Sequence, residues 1–346
     1  MNNSLIIPTG YRPVFSTRAI ETAIKDIKDF FEKQLAAALN LQRVTAPLFV
    51  RSGTGINDDL NGVERPLSFR VKADNDGEVE IVQSLAKWKR LALRRYGYAP
   101  GEGIYTDMNA VRPDELLDNL HSIYVDQWDW EKVILPSDRN IEMLKETVRA
   151  IYDCICRTEF HIASEHSHIR PILPEKIAFV TSEELCARWP EVGPRERENR
   201  ICAECKAVFI IGIGAELPDG QLHDGRAPDY DDWITLRGDD GRGLNGDILL
   251  WNPVLQRSFE ISSMGIRVDA STLLEQLKIR NLMERTKLDF HKRLLAGELP
   301  QTMGGGIGQA RLCMFFLRTA HVGEVSCGVW PEEMQKACSK ANIMLL

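Results

Sequence analysis

Between Thr17 and Leu39 apolar residues recur every three or four positions. Ile20, Ile24, Ile27, Phe31 and Leu35 fall on one face, and the spacing predicts an amphipathic helix. Short extended segments are expected at 42–50, 66–71 and 79–83, then a helix over 85–95. Strands follow near 104–111 and 122–133, and a long amphipathic helix over 140–160. Beyond Pro171 the pattern gives a strand at 177–180, helices around 182–189 and 195–205, and an apolar run at 207–212 that reads as a buried strand. Residues 215–245 are rich in Gly, Asp and Pro, and loops of that length are usually binding loops or lids, or else disordered. Strands at 247–252 and 258–262 and helices at 270–280 and 287–296 complete the pattern.

These strands cluster in neighbouring hairpins without strict strand–helix alternation. That favours an α+β fold, a largely antiparallel β-sheet flanked by helices. No repeat, low-complexity tract or linker breaks residues 1–346, so a single domain is expected, with 1–15 as a loosely ordered extension.

The densest punctuation is Gly304-Gly-Gly-Ile-Gly-Gln-Ala-Arg311, followed by Leu312-Cys-Met-Phe-Phe-Leu317. Glycine lets the backbone approach a ligand closely, and Leu312, Phe315 and Phe316 at helical spacing place a helix start near Gly308. Free N–H groups at that start, with the Arg311 guanidinium one turn in, suit a phosphate. A P-loop is excluded, because Gln309 and Ala310 stand where Lys and Ser/Thr belong. The dinucleotide fingerprint is excluded by its G-x-G-x-x-G spacing. This segment alone leaves open a glycine-rich turn capping an ordinary core helix.

With 346 residues, 44% hydrophobic and 27% charged, the chain can bury a large core. No apolar run approaches the ~20 residues of a membrane span, and the N-terminus does not read as a secretory signal. The net charge of −7 argues against broad nucleic-acid binding, although residues 87–95 offer a local basic patch. The eight cysteines are scattered. Cys202 and Cys205 lack partners at zinc spacing and are read as packing residues, and a reduced, cytoplasmic compartment fits.

Three constellations carry candidate chemistry. In the 84–90 segment Lys87, Lys89 and Arg90 point in different directions on a helix, and a solvated basic face is expected for Lys87 and Arg90. Around 111–130, strand alternation puts Ser122, Tyr124 and Asp126 on one face and Gln127 on the other, while Arg112, before a proline, suits a phosphate or carboxylate clamp. The third is acidic: Asp229, Asp231, Asp232, Asp247 and Glu260, with Ser263. Mg²⁺ takes one or two carboxylates plus phosphate oxygens and water, and Glu260 and Ser263 on adjoining strand and turn are able to supply such oxygens.

Arg112-Pro-Asp-Glu115, Phe259-Glu-Ile-Ser-Ser-Met-Gly-Ile-Arg267 and the 304–317 segment resemble the ordered motifs of class II aminoacyl-tRNA synthetase cores. The aspartyl and asparaginyl enzymes are the most similar. Further segments narrow the resemblance to the ammonia-dependent asparagine synthetases, the aspartate–ammonia ligases built on that core. They are Ser84-Leu-Ala-Lys-Trp-Lys-Arg90, Tyr124-Val-Asp-Gln-Trp-Asp-Trp130, Arg226-Ala-Pro-Asp-Tyr-Asp-Asp-Trp233, Gly243-Leu-Asn-Gly-Asp-Ile248 and Pro300-Gln-Thr-Met-Gly-Gly-Gly-Ile-Gly-Gln309. The likeness runs from about residue 20 to 331.

The resemblance implies an antiparallel class II core, a homodimer, and formation of asparagine from L-aspartate, ammonia and ATP through a β-aspartyl-adenylate, with AMP and pyrophosphate released. It also implies roles for residues. Arg112 would hold the α-phosphate and the reacting carboxylate. Arg311 would grip the far phosphates, with Gly304, Gly305 and Gly306 making room for the nucleotide. Glu260, Ser263 and Asp247 would organise Mg²⁺, and Asp231 would sit at the nucleotide. Lys89, Gln127 and Arg267 would fix aspartate's amino and carboxylate groups. Asp58 would complete that pocket, either as the base that deprotonates ammonium or as an amino-group ligand.

The stretch 159–171, with His161, His166 and His168, lies outside the resemblance and is read as a variable surface loop. A glutamine-hydrolysing enzyme would need a cysteine nucleophile in an amidotransferase domain, and no cysteine precedes Cys154. A tRNA-acting relative would need a nucleic-acid-binding appendage, and fewer than twenty residues precede the first helix. A non-catalytic paralogue is the third possibility, against which stand the intact Arg112, Glu260, Arg267 and Arg311.

Overall fold

The apolar face that begins the chain becomes the back wall of the molecule. In a computed structural model describing residues 5–58, 60, 64–238 and 241–346, Ile20, Ile24, Ile27, Phe31 and Leu35 are all buried on helix α1 (Thr17–Leu39). The Ser16 hydroxyl caps its first turn, and Asn40 ends it in the left-handed region. The chain continues through strands β1 (Leu41–Arg43), β2 (Phe49–Arg51), β3 (Ser68–Val71) and β4 (Gly77–Ile81) to helix α2 (Ala86–Tyr96). Then come β5 (Gly103–Val111), β6 (Tyr124–Val133), α3 (Ile141–Glu165), β7 (Ala178–Thr181), α4 (Ser182–Arg188) and α5 (Pro194–Cys205). The remainder is β8 (Ala207–Ile211), β9 (Asn245–Asn252), β10 (Arg257–Ile266), α6 (Ala270–Ile279), α7 (Asp289–Leu295), β11 (Thr302–Gly308), α8 (Gln309–Phe316) and α9 (Glu332–Lys340).

Eight strands form one sheet in the order β1-β5-β6-β11-β10-β9-β8-β7. Its six central strands are antiparallel, and each edge strand joins in parallel. The expected antiparallel sheet is therefore present with a parallel margin at each side. A second sheet, β2-β4-β3, flanks it.

Strand alternation sorts the large sheet into two faces. The back face carries Trp128, Trp130, Met264, Ile266, Met303 and Ile307, which join α1, α3 and α8 in the main core. The front face is polar at its centre. The register pairs Gly304 with Glu131, Gly306 with Asp129 and Gly308 with Gln127. Across β10, Gly306 pairs with Ser263 and Gly304 with Gly265.

Several expectations are corrected here. The single extended segment at 42–50 is two strands in two different sheets, and α9 had no counterpart in the pattern. The loop at 159–171 is helical as far as Glu165, because α3 packs along α1 beyond the predicted end. His161 on α3 stacks on Phe30 and pairs with Asp26, while His166 and His168 pack edge-on to Phe15. The basic face of α2 is not solvated. Lys87 pairs with Asp229 at 3.3 Å, and Arg90 donates to the carbonyls of Pro300 and Val268 at 2.8 and 2.7 Å. Helix α2 lies on the front face, so its cations satisfy buried acceptors instead of meeting water.

Candidate active site

The centre of the front face opens into a cavity of about 660 Å³. Its floor is made possible by glycine. Gly304, Gly305 and Gly306 lie inside strand β11, not in a turn, and a Cβ on Gly304 would collide with Glu131 Oε2 while one on Gly306 would collide with Gln127 Oε1. The glycines thus give room to carboxylate and amide side chains of β6, a packing reason distinct from backbone freedom. At the start of α8, where an anion site was expected, one N–H is already engaged. There the Ala310 N–H donates to Asp126 Oδ1 at 3.0 Å, so an internal carboxylate takes one of that helix end's donors.

Beta-6 supplies Gln127, Asp129 and Glu131 on the front face, two residues apart. Gln127 and Asp129 line the cavity. Asp126, on the opposite face, pairs with Lys28 of α1 at 2.8 Å. The strand pairs without a register shift, so alternation separates Gln127 from Tyr124 and Asp126 within β6, although all three, with Ser122 just ahead of the strand, border the cavity.

Beneath the floor runs a chain of buried ion pairs. Lys89 is fully buried; its ammonium binds Asp129, donates to the Trp130 carbonyl at 2.8 Å and stands 3.6 Å from Glu131. Lys89 therefore does not line the cavity, and its ammonium pairs with Asp129. Glu131 in turn accepts from Arg267 Nε at 3.0 Å and from a second Arg267 nitrogen at 2.9 Å, and from Thr302 Oγ1 at 2.7 Å. The third guanidinium nitrogen of Arg267 binds Asp231. Burial pushes the Glu131 carboxyl upward, but Arg267 and Lys89 outweigh it and hold the group ionised. For Asp129 burial wins over Lys89, and its pKa is raised. One Asp129 oxygen is buried with no hydrogen-bond partner among the described residues. A buried acceptor on a cavity floor suits an ammonium group.

The walls carry the predicted cations. Arg112, just past the end of β5, lines the cavity and is only 3.9 Å from Glu115, while Asp114 is taken by Arg65. Its Nε is buried without an acceptor among the described residues. Arg311 also lines the cavity and donates to the carbonyl and carboxylate of Glu260 at 3.0 and 3.3 Å. Gly305, Gly306, Ser263, Glu260, Asp231 and Arg267 all line the cavity; Gly304 lies under the floor against Glu131.

Asp58 is buried beside the cavity, not in its lining. Gln83 Nε2 donates to its carbonyl at 3.1 Å, and its carboxylate is an electrostatic neighbour of Tyr230, which does line the cavity. Burial first, then Asp58 and Asp231, raise the Tyr230 hydroxyl well above its ordinary range, so it stays a donor.

The long 215–245 loop is folded onto the site, with a β-bridge from Asp231 to Arg267. It brings in Arg226, whose guanidinium binds Asp247 and stands 3.9 Å from Asp231. Asp247 is buried and out of the lining, so as a metal ligand it is already held by Arg226. Burial pushes the Asp247 carboxyl up to about 8, with Arg226 opposing and Glu260 and Asp224 adding to the rise. For Glu260, crowding by its surroundings raises the pKa, but Arg311 and Arg226 bring it below the usual range.

Among the described residues no three His, Cys, Asp or Glu side chains stand close enough to hold a metal by themselves. Mg²⁺ needs only one or two carboxylates when phosphate supplies the rest, and the half-exposed Glu260 beside Ser263 fits that donor set. Asp129, Glu131, Arg226 and Tyr230 were not singled out from sequence. Asp129 and Glu131 had a legible signal, because both share the parity of Gln127. Arg226 and Tyr230 had none, since only the loop's folding brings them in.

Comparison with known proteins follows the same lines. The sequence profile of the aspartate-ammonia ligase family matches residues 18–342. The chain is 58% identical over 342 residues to an aspartate–ammonia ligase of Clostridium perfringens, covering 99% of each chain. It is 56% identical, with the same coverage, to one of Bacteroides fragilis. Among solved structures it is similar to Pyrococcus horikoshii asparaginyl-tRNA synthetase bound to asparaginyl-adenylate, with a TM-score of 0.65 and 15% identity over 90% of this chain and 70% of that one. The Entamoeba histolytica asparaginyl-tRNA synthetase gives a TM-score of 0.64 at 13% identity, over 90% of this chain and 66% of that one. At such identities the likeness is one of fold.

Proposed function

The chain belongs to the aspartate–ammonia ligase family and is an enzyme of that kind; from this premise we propose that it activates L-aspartate with ATP to a β-aspartyl-adenylate, which ammonia attacks to give L-asparagine. AMP and pyrophosphate are the other products. The observation that carries the adenylate reading is one cavity with two unanswered polar ends: the buried Asp129 oxygen on its floor and the buried Arg112 Nε on its wall.

Aspartate's ammonium group meets Asp129, with Gln127 beside it. Lys89 behind Asp129 keeps that carboxylate in place, a positioning role. Arg267, held rigid by Glu131 and Asp231, receives the carboxylate that does not react. The reacting carboxylate and the α-phosphate share Arg112, whose guanidinium answers the charge that builds as the phosphorus–oxygen bond forms. Arg311 takes the phosphate end of the nucleotide. Mg²⁺, held by Glu260 and Ser263 with Asp247 behind them, supplies charge neutralisation of the phosphates when bound.

Ammonium must lose a proton before it can attack. Asp58, buried beside Tyr230 at the cavity edge, is the group we assign to that proton. We further propose a homodimer, by extension of the synthetase-like core.

The test is a product assay with aspartate, ATP and Mg²⁺, supplied in turn with ammonium, glutamine or neither. Asparagine and AMP with ammonium are expected. ADP in place of AMP would overturn the adenylate step, and asparagine from glutamine at equal rate would overturn the assignment of free ammonia.

A further inference from the structure

The loop between β5 and β6, residues 112–123, carries one wall of the cavity. Arg112, Asp118, Leu120, His121 and Ser122 of this loop line it. The neck of the loop is closed by the Arg112 N–H, which donates to the Ile123 carbonyl at 2.8 Å. At the far end the Asp118 carboxylate builds a turn, accepting from the N–H groups of Leu120 and His121 at 2.7 and 2.9 Å. Such a turn fixes local shape but not the place of the loop relative to the rest of the cavity.

Between these lining residues Asn119 turns the other way. It is 1% exposed and does not border the cavity. Its Oδ1 accepts from the Ile6 N–H at 2.7 Å, and its Nδ2 donates to the carbonyls of Ile6 and Ala320, each at 2.8 Å. Its backbone carbonyl accepts from the Val322 N–H at 2.8 Å. One buried residue thus joins three stretches of chain: the loop, the segment ahead of α1 and the segment that follows α8. The last of these returns to the cavity, because Val322 lines it. The segment ahead of α1 is itself anchored. Leu5, Ile6 and Tyr11 pack against the main core, and the Tyr11 hydroxyl donates to Glu324 Oε2 at 2.9 Å. Glu324 Oε1 accepts from the N–H groups of Ala320 and His321 at 2.8 and 3.0 Å, so one carboxylate holds both segments.

We infer that Asn119 is a positioning residue for the activation step, and that residues 5–11 act through it as a strap that holds the Arg112 loop in place. The inference rests on the ATP reading of the cavity. A buried amide whose acceptor and both donor hydrogens are answered fixes one geometry, which an apolar side chain of the same size would leave open. Arg112 answers developing charge only where its guanidinium stays close to the attacked phosphorus, and a misplacement of about 1 Å is costly. Asp129 and Arg267, on the aspartate side, are fastened separately by Lys89 and Glu131. The strap therefore acts on ATP and turnover more than on aspartate.

The test is steady-state kinetics of the full chain in wild type, N119A, I6P, I6A and I6P/N119A. N119A removes the three side-chain bonds, and I6P removes the one N–H that Asn119 accepts. Each should raise the KM for ATP about threefold to tenfold, the scale of one net hydrogen bond, and lower kcat, while the KM for aspartate stays within about twofold. I6A keeps both backbone groups and should recover most of what I6P loses. In the double variant the effects should not add, because both changes cut the same link. Full additivity would overturn the strap, and so would an unchanged KM for ATP in both single variants. An equal rise in the two KM values would mean a general loosening of the fold and would overturn the positioning role. Should N119A fail to fold, I6P, ahead of the first helix, decides. Wild-type protein that forms no asparagine from ATP would instead sink the ATP reading itself, and the inference with it.

Discussion

Gly304 and Glu131 stand opposite each other on β11 and β6, and the Glu131 carboxylate fills the space that any side chain on Gly304 would need. That carboxylate is the hub of the floor, taking Arg267, Thr302 and Lys89 at once. Gly304→Ala should therefore act at a distance from any ligand. Overpacking at a tight buried site costs about 1–3 kcal/mol. Displacement of Glu131 should also loosen Arg267 and raise the KM for aspartate more than that for ATP. Denaturant melts and steady-state kinetics check both; a variant with wild-type stability would show that the strand has slack.

Arg112 differs from the floor residues in owing little to the fold. Among the described residues its one ion-pair partner, Glu115, is 3.9 Å away, and one of its nitrogens is buried with no acceptor. Arg112→Ala should leave the thermal midpoint close to wild type while kcat falls by roughly 10²–10³, the usual cost of removing one preorganised donor to developing charge. Aspartate-dependent exchange of pyrophosphate into ATP is the readout that isolates this step. Exchange at the wild-type rate would remove Arg112 from the chemistry.

How much of this was legible beforehand depended on the range of the signal. The α1 face and the alternation of β6 are local periodicities, so both were readable, including the separation of Gln127 from Asp126. The glycine run was recognised as important, but one of its physical reasons, room for the side chains of β6, was not legible. Sequence cannot tell a glycine that bends a turn from one that makes room in a strand, because the second depends on what the neighbouring strand presents. The basic face of α2 was misjudged for the same reason: Lys87 and Arg90 look solvated until Asp229 and the carbonyls of Val268 and Pro300 arrive from about 140 to 210 residues away. The roles given to Arg112, Arg267 and Arg311 came from resemblance. The structure brings these three into one cavity while moving Lys89 beneath it.

That displacement of Lys89 has a measurable consequence. A lysine that only bound substrate would affect KM alone when removed. Lys89 is fully buried between Asp129 and Glu131, so Lys89→Met should leave Asp129 without its cation while Glu131 keeps Arg267. Breaking a buried pair in this way costs about 3–5 kcal/mol. The same variant should bind aspartate more weakly, because Asp129 loses the partner that orients it. Urea unfolding with and without aspartate separates the two effects, and weaker aspartate binding at unchanged stability would restore Lys89 as a direct ligand.

His321 supplies a pH signature away from the charged floor. Its ring is fully buried edge-on to Trp330, its Nδ1 accepts from the Gly323 N–H at 3.0 Å, and its Nε2 has no partner among the described residues. Burial pushes its pKa down to about 4, with only Asp118 pulling the other way. The folded protein thus holds this imidazole neutral where the unfolded chain, near 6.5, would protonate it. Because the unfolded state binds more protons, stability rises with pH across that window. The contribution is fully present above about pH 6.5 and is lost as pH falls through about 4. By linkage it amounts to about 3 kcal/mol, an order-of-magnitude figure. His321→Asn keeps an acceptor for the Gly323 N–H but cannot titrate. Stability measured by denaturant between pH 4 and 7 should therefore fall less steeply on acidification in the variant than in wild type. Parallel curves would mean that the folded protein protonates His321 as readily as the unfolded chain does, and would remove this imidazole from the acid response.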